Sequence, residues 1–130
     1  MQIWWGKMQF EDLTEKVIGC AIEVHRVLGP GLLESAYEQC LAHELNLANI
    51  PFKSQISIPV EYKGIRLDCA YRLDFLVAEK ILVELKSVDN ISGIYEAQLL
   101  TYMKLAKVEV GLLINFNVEV LHKGLKRFVL

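Results

Sequence analysis

The 130-residue sequence predicts an α/β (α+β) domain, helical in its first third and strand-rich in the remainder. Three observations carry that expectation. Apolar residues recur at helical spacing through the first third, the middle of the chain alternates apolar with polar residues, and a later helical stretch leads into a continuous apolar run at 108–115. A chain of this length forms one domain around one core. Hydrophobic residues make up 53% and charged residues 23%, with mean hydropathy +0.29, which excludes a disordered or low-complexity chain.

Regular patterning begins at Phe10, so residues 1–9 are read as an N-terminal extension, with Met8 an alternative start, and 10–130 as the domain. Leu13, Val17, Ile18, Ala21, Ile22, Val24 and Leu28 place an apolar stripe on a first helix, which stops at Gly29-Pro30-Gly31. Leu33, Tyr37, Cys40, Leu41, Leu45 and Leu47 continue the spacing on a second helix, ended by Asn49 and Pro51. Between 55 and 63 the period changes to two, with Ile56, Ile58, Val60 and Tyr62 on one face. Pro59 lacks a ladder donor and marks that strand as a sheet edge or a bulge. After Lys63-Gly64, alternation resumes with Leu67, Cys69, Tyr71, Leu73, Phe75 and Val77 facing one way, and Ile81, Val83 and Leu85 repeat it beyond Ala78-Glu79-Lys80. Asn90 or Ser92 caps a helix running to about Ala106, 108–115 suits an interior strand, and 126–130 suits a short last one.

The net charge of −2 excludes binding of nucleic acid by bulk positive charge, so any such contact must be local. No apolar run approaches the roughly 18 residues of a membrane span; the richest, 108–116, contains Glu109 and Asn115. Residues 1–7 lack the basic and apolar segments of a secretory leader. Cys20, Cys40 and Cys69 form no CxxC pair, so reduced, buried thiols and a cytoplasmic location are expected.

The charges on the central hairpin are the informative feature. A turn centred on Glu79 sets Asp74 opposite Glu84 and Arg72 opposite Lys86. Like charges directly opposed across an antiparallel pair repel. A divalent cation between Asp74 and Glu84 would relieve the first opposition, and Mg²⁺ commonly uses one or two carboxylates, with water and phosphate oxygens completing its shell. Glu84 and Lys86, two apart on one strand, share a face, which sets an ammonium beside the acids. Asp, then Glu-x-Lys, is therefore read as a phosphodiester-hydrolysis constellation. Glu61-Tyr62-Lys63 repeats the Glu-x-Lys pattern without an identifiable facing acid and reads as solvated edge. A cross-strand ion-pair cluster with Arg72 accounts for Glu84-Leu85-Lys86 equally well until Asp74 is added.

Glu34 falls at the third helical position if Gly31 is the N-cap, where a carboxylate suits the helix dipole and the cap amide. Tyr95, Gln98 and Tyr102 share a face of the later helix, and Gln98 needs a polar partner there. His25 suits a structural place at a helix C-terminus, Lys123, Lys126 and Arg127 read as solvated surface, and His43 and His122 carry no role.

Gly31-Leu32-Leu33-Glu34-Ser35-Ala36-Tyr37 resembles the signature of the GxxExxY family, which is assigned to the PD-(D/E)XK nuclease superfamily. The resemblance runs from about Phe10 to the C-terminus with the motifs in order. It implies a mixed sheet containing a three-stranded antiparallel meander and flanked by helices. By position, Glu34, Asp74 and Glu84 resemble the metal-binding acids, and Lys86 the catalytic lysine. Gln98 and Tyr102 are similar to the Gln-xxx-Tyr element of the exonuclease-like branch, which implies catalytic and substrate-binding positions for Gln98 and a substrate-binding one for Tyr102. Leu73 stands where proline precedes the first acid in the motif's name. The resemblance implies a nuclease using Mg²⁺, with Mn²⁺ as a substitute, and DNA or RNA as partner. The alternative is a catalytically silent nuclease-fold module for nucleic-acid binding or assembly. The short chain has no room for a separate base-reading domain; a homodimer or an unidentified protein partner is the way to supply one.

Overall fold

The computed structural model describes residues 2–130, apart from the side chains of residues 2–11, 69 and 70. The expected thiol Cys69 therefore lies outside the described side chains. The elements are α1 (Gln2–Leu28), α2 (Glu34–Leu47), β1 (Phe52–Tyr62), β2 (Ile65–Val77), β3 (Ile81–Lys86), α3 (Gly93–Ala106), β4 (Val110–Asn115), a 3₁₀ turn (Leu121–Gly124) and β5 (Leu125–Val129). The strands form one mixed sheet in the order β1-β2-β3-β4-β5. Only β3 and β4 run parallel, as their connection through α3 requires; the other neighbours are antiparallel.

Each helix layer covers a different face of the sheet. Val17, Ala21 and Val24 of α1 and Tyr37, Leu41 and Leu45 of α2 meet Ile81, Val83 and Leu85 of β3 and alternate residues of β4. Leu99 and Met103 of α3 meet Leu82 and Leu113 on the opposite face. Because β3 and β4 are covered on both sides, their side chains are almost continuously buried, as expected of interior parallel strands.

Several expectations are corrected. α1 begins at Gln2, ahead of the patterned start at Phe10. Ile22, Leu33 and Leu47 are exposed rather than core-facing, because the buried stripe is narrower than the apolar pattern. The N-cap of α2 is Leu33 and not Gly31, so Glu34 is the first helical residue and no capping box forms. Ser92 does stand at the N-cap of α3, but its hydroxyl makes no capping hydrogen bond. Cys20 and Cys40 are free and half-buried rather than fully buried. Pro59 fits both of its expected roles, since β1 is an edge strand and its register with β2 shifts between Pro59 and Glu61.

The alternation expected along β2 is broken at Asp74. Leu73 belongs to the apolar cluster under α3, whereas Phe75 and Val77 belong to the cluster under α1 and α2. The neighbouring strand is distorted at the same level: Gln55, between the paired positions Ser54–Phe75 and Ile56–Leu73, has φ +53°. Outward from this point Tyr62, Leu67 and Tyr71 are exposed, because the β1–β2 hairpin outruns the helices that would cover it.

Two glycines differ in what a methyl group would meet. At Gly124 an added Cβ would lie 2.1 Å from the Asn115 carbonyl oxygen, which is backbone. At Gly111 it would lie 2.6 Å from Met103 Sδ, the far end of a flexible side chain. Gly124→Ala is therefore expected to lose at least about 1–3 kcal/mol by overpacking. Gly111→Ala loses clearly less. Urea unfolding of the two variants checks the order, and equal losses would contradict it.

Candidate active site

The turn between β2 and β3 sets the geometry of the site. Ala78 and Glu79 both have positive φ, 51° and 60°, and the Lys80 amide donates to the Val77 carbonyl. Two left-handed residues thus sit in a three-residue connection, Ala78-Glu79-Lys80. The resulting register pairs Val77 with Ile81, Leu76 with Leu82 and Phe75 with Val83. Continuing it brings Asp74 level with Glu84, as expected from a turn centred on Glu79.

At that level side chains replace the regular ladder. The Asp74 amide donates to Glu84 Oε1 at 3.0 Å, and the Leu85 amide donates to Asp74 Oδ2 at 2.8 Å. Each acid thus accepts a backbone N–H from the other strand. Among the described residues no hydrogen bond reaches Asp74 Oδ1 or Glu84 Oε2, so one oxygen of each carboxylate is open to a ligand. The second expected opposition does not form. The β2–β3 pairing ends at Phe75–Val83, Arg72 pairs instead with Ser57 of β1, and Lys86 with Asn115 of β4.

The Lys86 ammonium lies 4.5 Å from the centre of the Tyr95 ring, a cation–π contact that gives its long side chain a fixed direction. Its charge is felt at both acids. Glu34, exposed on the first turn of α2, also acts on both, but makes no hydrogen bond to either among the described residues. Tyr102 is close enough for Glu84 and Asp74 to raise its pKa, although burial is the larger cause. Gln98 is half-buried and takes no hydrogen bond among the described residues. Its amide reaches solvent, since no described buried polar side-chain atom lacks a partner.

Glu38 and Gln55 escaped the sequence reading. The Glu38 charge helps to raise the Asp74 pKa, and Gln55 Nε2 donates to Glu38 Oε1. Two signals could have found them. Glu38 is four residues after Glu34 and so on the same helix face, and Gln55 comes level with Asp74 once β1 is registered on β2.

The α1–α2 turn is held by Tyr37 and Ser87. Tyr37 Oη donates to the Gly29 carbonyl at 2.6 Å and accepts from the Leu32 amide at 3.1 Å. Its ring stacks on Phe116, 4.4 Å away. Gly29 and Gly31, at φ +68° and +94°, supply the left-handed backbone this turn needs. Ser87 Oγ then donates to the Leu32 carbonyl, tying the turn to the residue after Lys86. On the other side of β3, buried Asn115 accepts from the Val88 amide and donates to the Val88 carbonyl. His25 is buried and bonded through Nε2 to the Val118 carbonyl at 2.7 Å, a structural place rather than one among the acids. Lys126 is paired with Glu96.

Burial raises both strand carboxyls. For Glu84 burial is the first cause and Asp74 the second, and together they push its pKa to about 7 despite the Asp74 amide and Lys86. Asp74 is raised by burial first, and further by Glu38 and Glu34, against the Leu85 amide and Lys86. A cation between them would remove the repulsion. Among the described residues no group of three or more His, Cys, Asp and Glu side chains is placed to hold a metal ion, so Glu34 is not brought together with Asp74 and Glu84 as a three-acid site.

Two tests follow from this geometry. Glu84 titrates near 4.5 when unfolded and near 7 when folded, so between these values the folded chain holds a proton that the unfolded chain has released. Its contribution favours folding at low pH and is lost as pH rises through about 7, at up to roughly 1.4 kcal/mol per pH unit. Metal-free protein melts at a higher temperature near pH 5 than near pH 8, and Glu84→Gln narrows that gap; an unchanged gap would show that Glu84 is not its source. Tyr37→Phe, which removes both hydrogen bonds but keeps the stack, costs about 1–3 kcal/mol in denaturant unfolding. A loss within error would mean that water replaces the hydroxyl without penalty.

Residues 11–128 match the PD-(D/E)XK nuclease superfamily. No match was found among curated proteins or among solved structures. No described helix is long and apolar enough to cross a membrane.

Proposed function

Since the chain belongs to the PD-(D/E)XK nuclease superfamily, we propose that it is a metal-dependent nuclease that hydrolyses phosphodiester bonds of DNA or RNA. The observation that carries this reading is the pair of half-open carboxylates, Asp74 and Glu84, each fixed by an amide of the opposite strand. The motif at Gly31, Glu34 and Tyr37 supports assignment to the GxxExxY branch.

Asp74 and Glu84 would hold Mg²⁺, or Mn²⁺ in its place. Such an ion supplies Lewis acidity toward the phosphate and lowers the pKa of water. Lys86, held against Tyr95, orients the attacking water and faces the charge that grows on the phosphate oxygens. Gln98, with a solvent-reaching amide, positions water or substrate, and Tyr102 lines the substrate side of the acids. Metal binding displaces protons from this pair, so affinity for Mg²⁺ rises with pH up to about 7, the value to which Glu84 is pushed. The free thiols Cys20 and Cys40 support a reducing, cytoplasmic setting. Base reading would come from a homodimer or a protein partner.

The test is cleavage of labelled single- and double-stranded DNA and RNA with Mg²⁺ or Mn²⁺, run beside melting curves with and without metal. Wild type cuts at least one substrate and is stabilised by Mg²⁺. Asp74→Asn loses both effects. Lys86→Ala keeps the stabilisation but cuts at least about 100-fold more slowly. No cleavage of any substrate, or Lys86→Ala cutting at the wild-type rate, would sink the enzyme reading; indifference of the melt to metal would point to a silent assembly module.

A further inference from the structure

Tyr71 sits on β2, three residues before Asp74, with 45% of its surface exposed. Its partner across the ladder, Ile58, is buried. The Tyr71 ring lies 5.0 Å from that of Tyr102 on α3, at 44°. Tyr102 packs on the apolar cluster containing Leu73 and Leu82, the residues beside Asp74 and two before Glu84. An aromatic pair therefore stands at the rim of the carboxylates with one ring open to solvent. Arg72, the next residue, is exposed and makes no salt bridge among the described residues.

We propose that Tyr71, backed by Tyr102, stacks a base of an unpaired strand beside the two acids, which makes single-stranded nucleic acid the substrate class of this site. The inference rests on the nuclease reading for the identity of the ligand. Its physical ground is the weakness of the alternative. With a net charge of −2, the chain attracts a phosphate backbone poorly, and a duplex, whose bases are already stacked and paired, offers little else. An exposed ring binds an unpaired base by a contact that owes nothing to net charge and tolerates any sequence. Arg72 turns to the other face of β2, so the proposed contact is with the base rather than its phosphate, and exposed Lys63 lies further out on the same hairpin.

Fluorescence anisotropy in EDTA, which separates binding from cleavage, tests this with a labelled single strand and a blunt duplex of equal length. Wild type binds the single strand at least about tenfold more tightly. Tyr71→Ala loses roughly 5- to 100-fold of that affinity, while Tyr71→Trp retains it. Tyr71→Leu keeps apolar bulk on the strand without a ring to stack, and it loses as much as Tyr71→Ala. Equal affinity for the two ligands, or Tyr71→Leu binding like wild type, overturns the inference. A protein that binds single strands through Tyr71 but cuts nothing upholds it and fails the nuclease reading. One that cuts duplex and single strand alike, regardless of Tyr71, does the reverse.

Discussion

The crossed pair of hydrogen bonds, Asp74 amide to Glu84 carboxylate and Leu85 amide to Asp74 carboxylate, governs this structure, because it sits where the fold stops being regular. Up to Phe75 and Val83, β2 and β3 share a ladder. One step further the two side chains take over its hydrogen bonds, and β2 changes the face to which its apolar residues turn. Two carboxylates are thus built into a sheet at the point where β2 leaves the core, with their remaining oxygens facing out. The arrangement is costly for the isolated protein, since burial and mutual repulsion both oppose charging the acids. A cation would turn that opposition into affinity.

The rest of the molecule holds this pair in place. α1 and α2 cover one face of β3, α3 covers the other, and β4 lies alongside. The contacts of Ser87 with Leu32 and of Val88 with Asn115 lie just beyond Lys86, so the chain leaving β3 is tied both to the α1–α2 turn and to β4. Glu34 and Glu38 project from a helix whose start is set by that same turn.

Much of this was legible in the sequence, for reasons that can be named. The helices and the β2–β3 register follow from local periodicity and a short turn, both encoded by neighbours in the chain. The exposure of Leu67 and Tyr71 was not legible, because alternation reports which residues share a face and not whether anything covers it. The break at Asp74 was hidden as well: Leu73 and Phe75 are equally apolar and differ only in which helix layer receives them. Lys86 and Arg72 were set in opposition by extending a register past the point where the strands part. Glu38 shares a helix face with Glu34 by spacing, but its approach to Asp74 depends on how α2 lies across the sheet, and the place of Gln55 depends on the long-range register of β1 on β2.

The turn at Ala78-Glu79 has a consequence for how chains of this kind can vary. One residue more or fewer between Asp74 and Glu84 would slide one acid past the other and swap its face, so this segment cannot change length by a single step. The outer end of the β1–β2 hairpin already absorbs a register shift at Pro59 and lies beyond the acid pair. Length differences among related chains should therefore gather at that outer end, where insertions would reshape what approaches the site while leaving the acids in step.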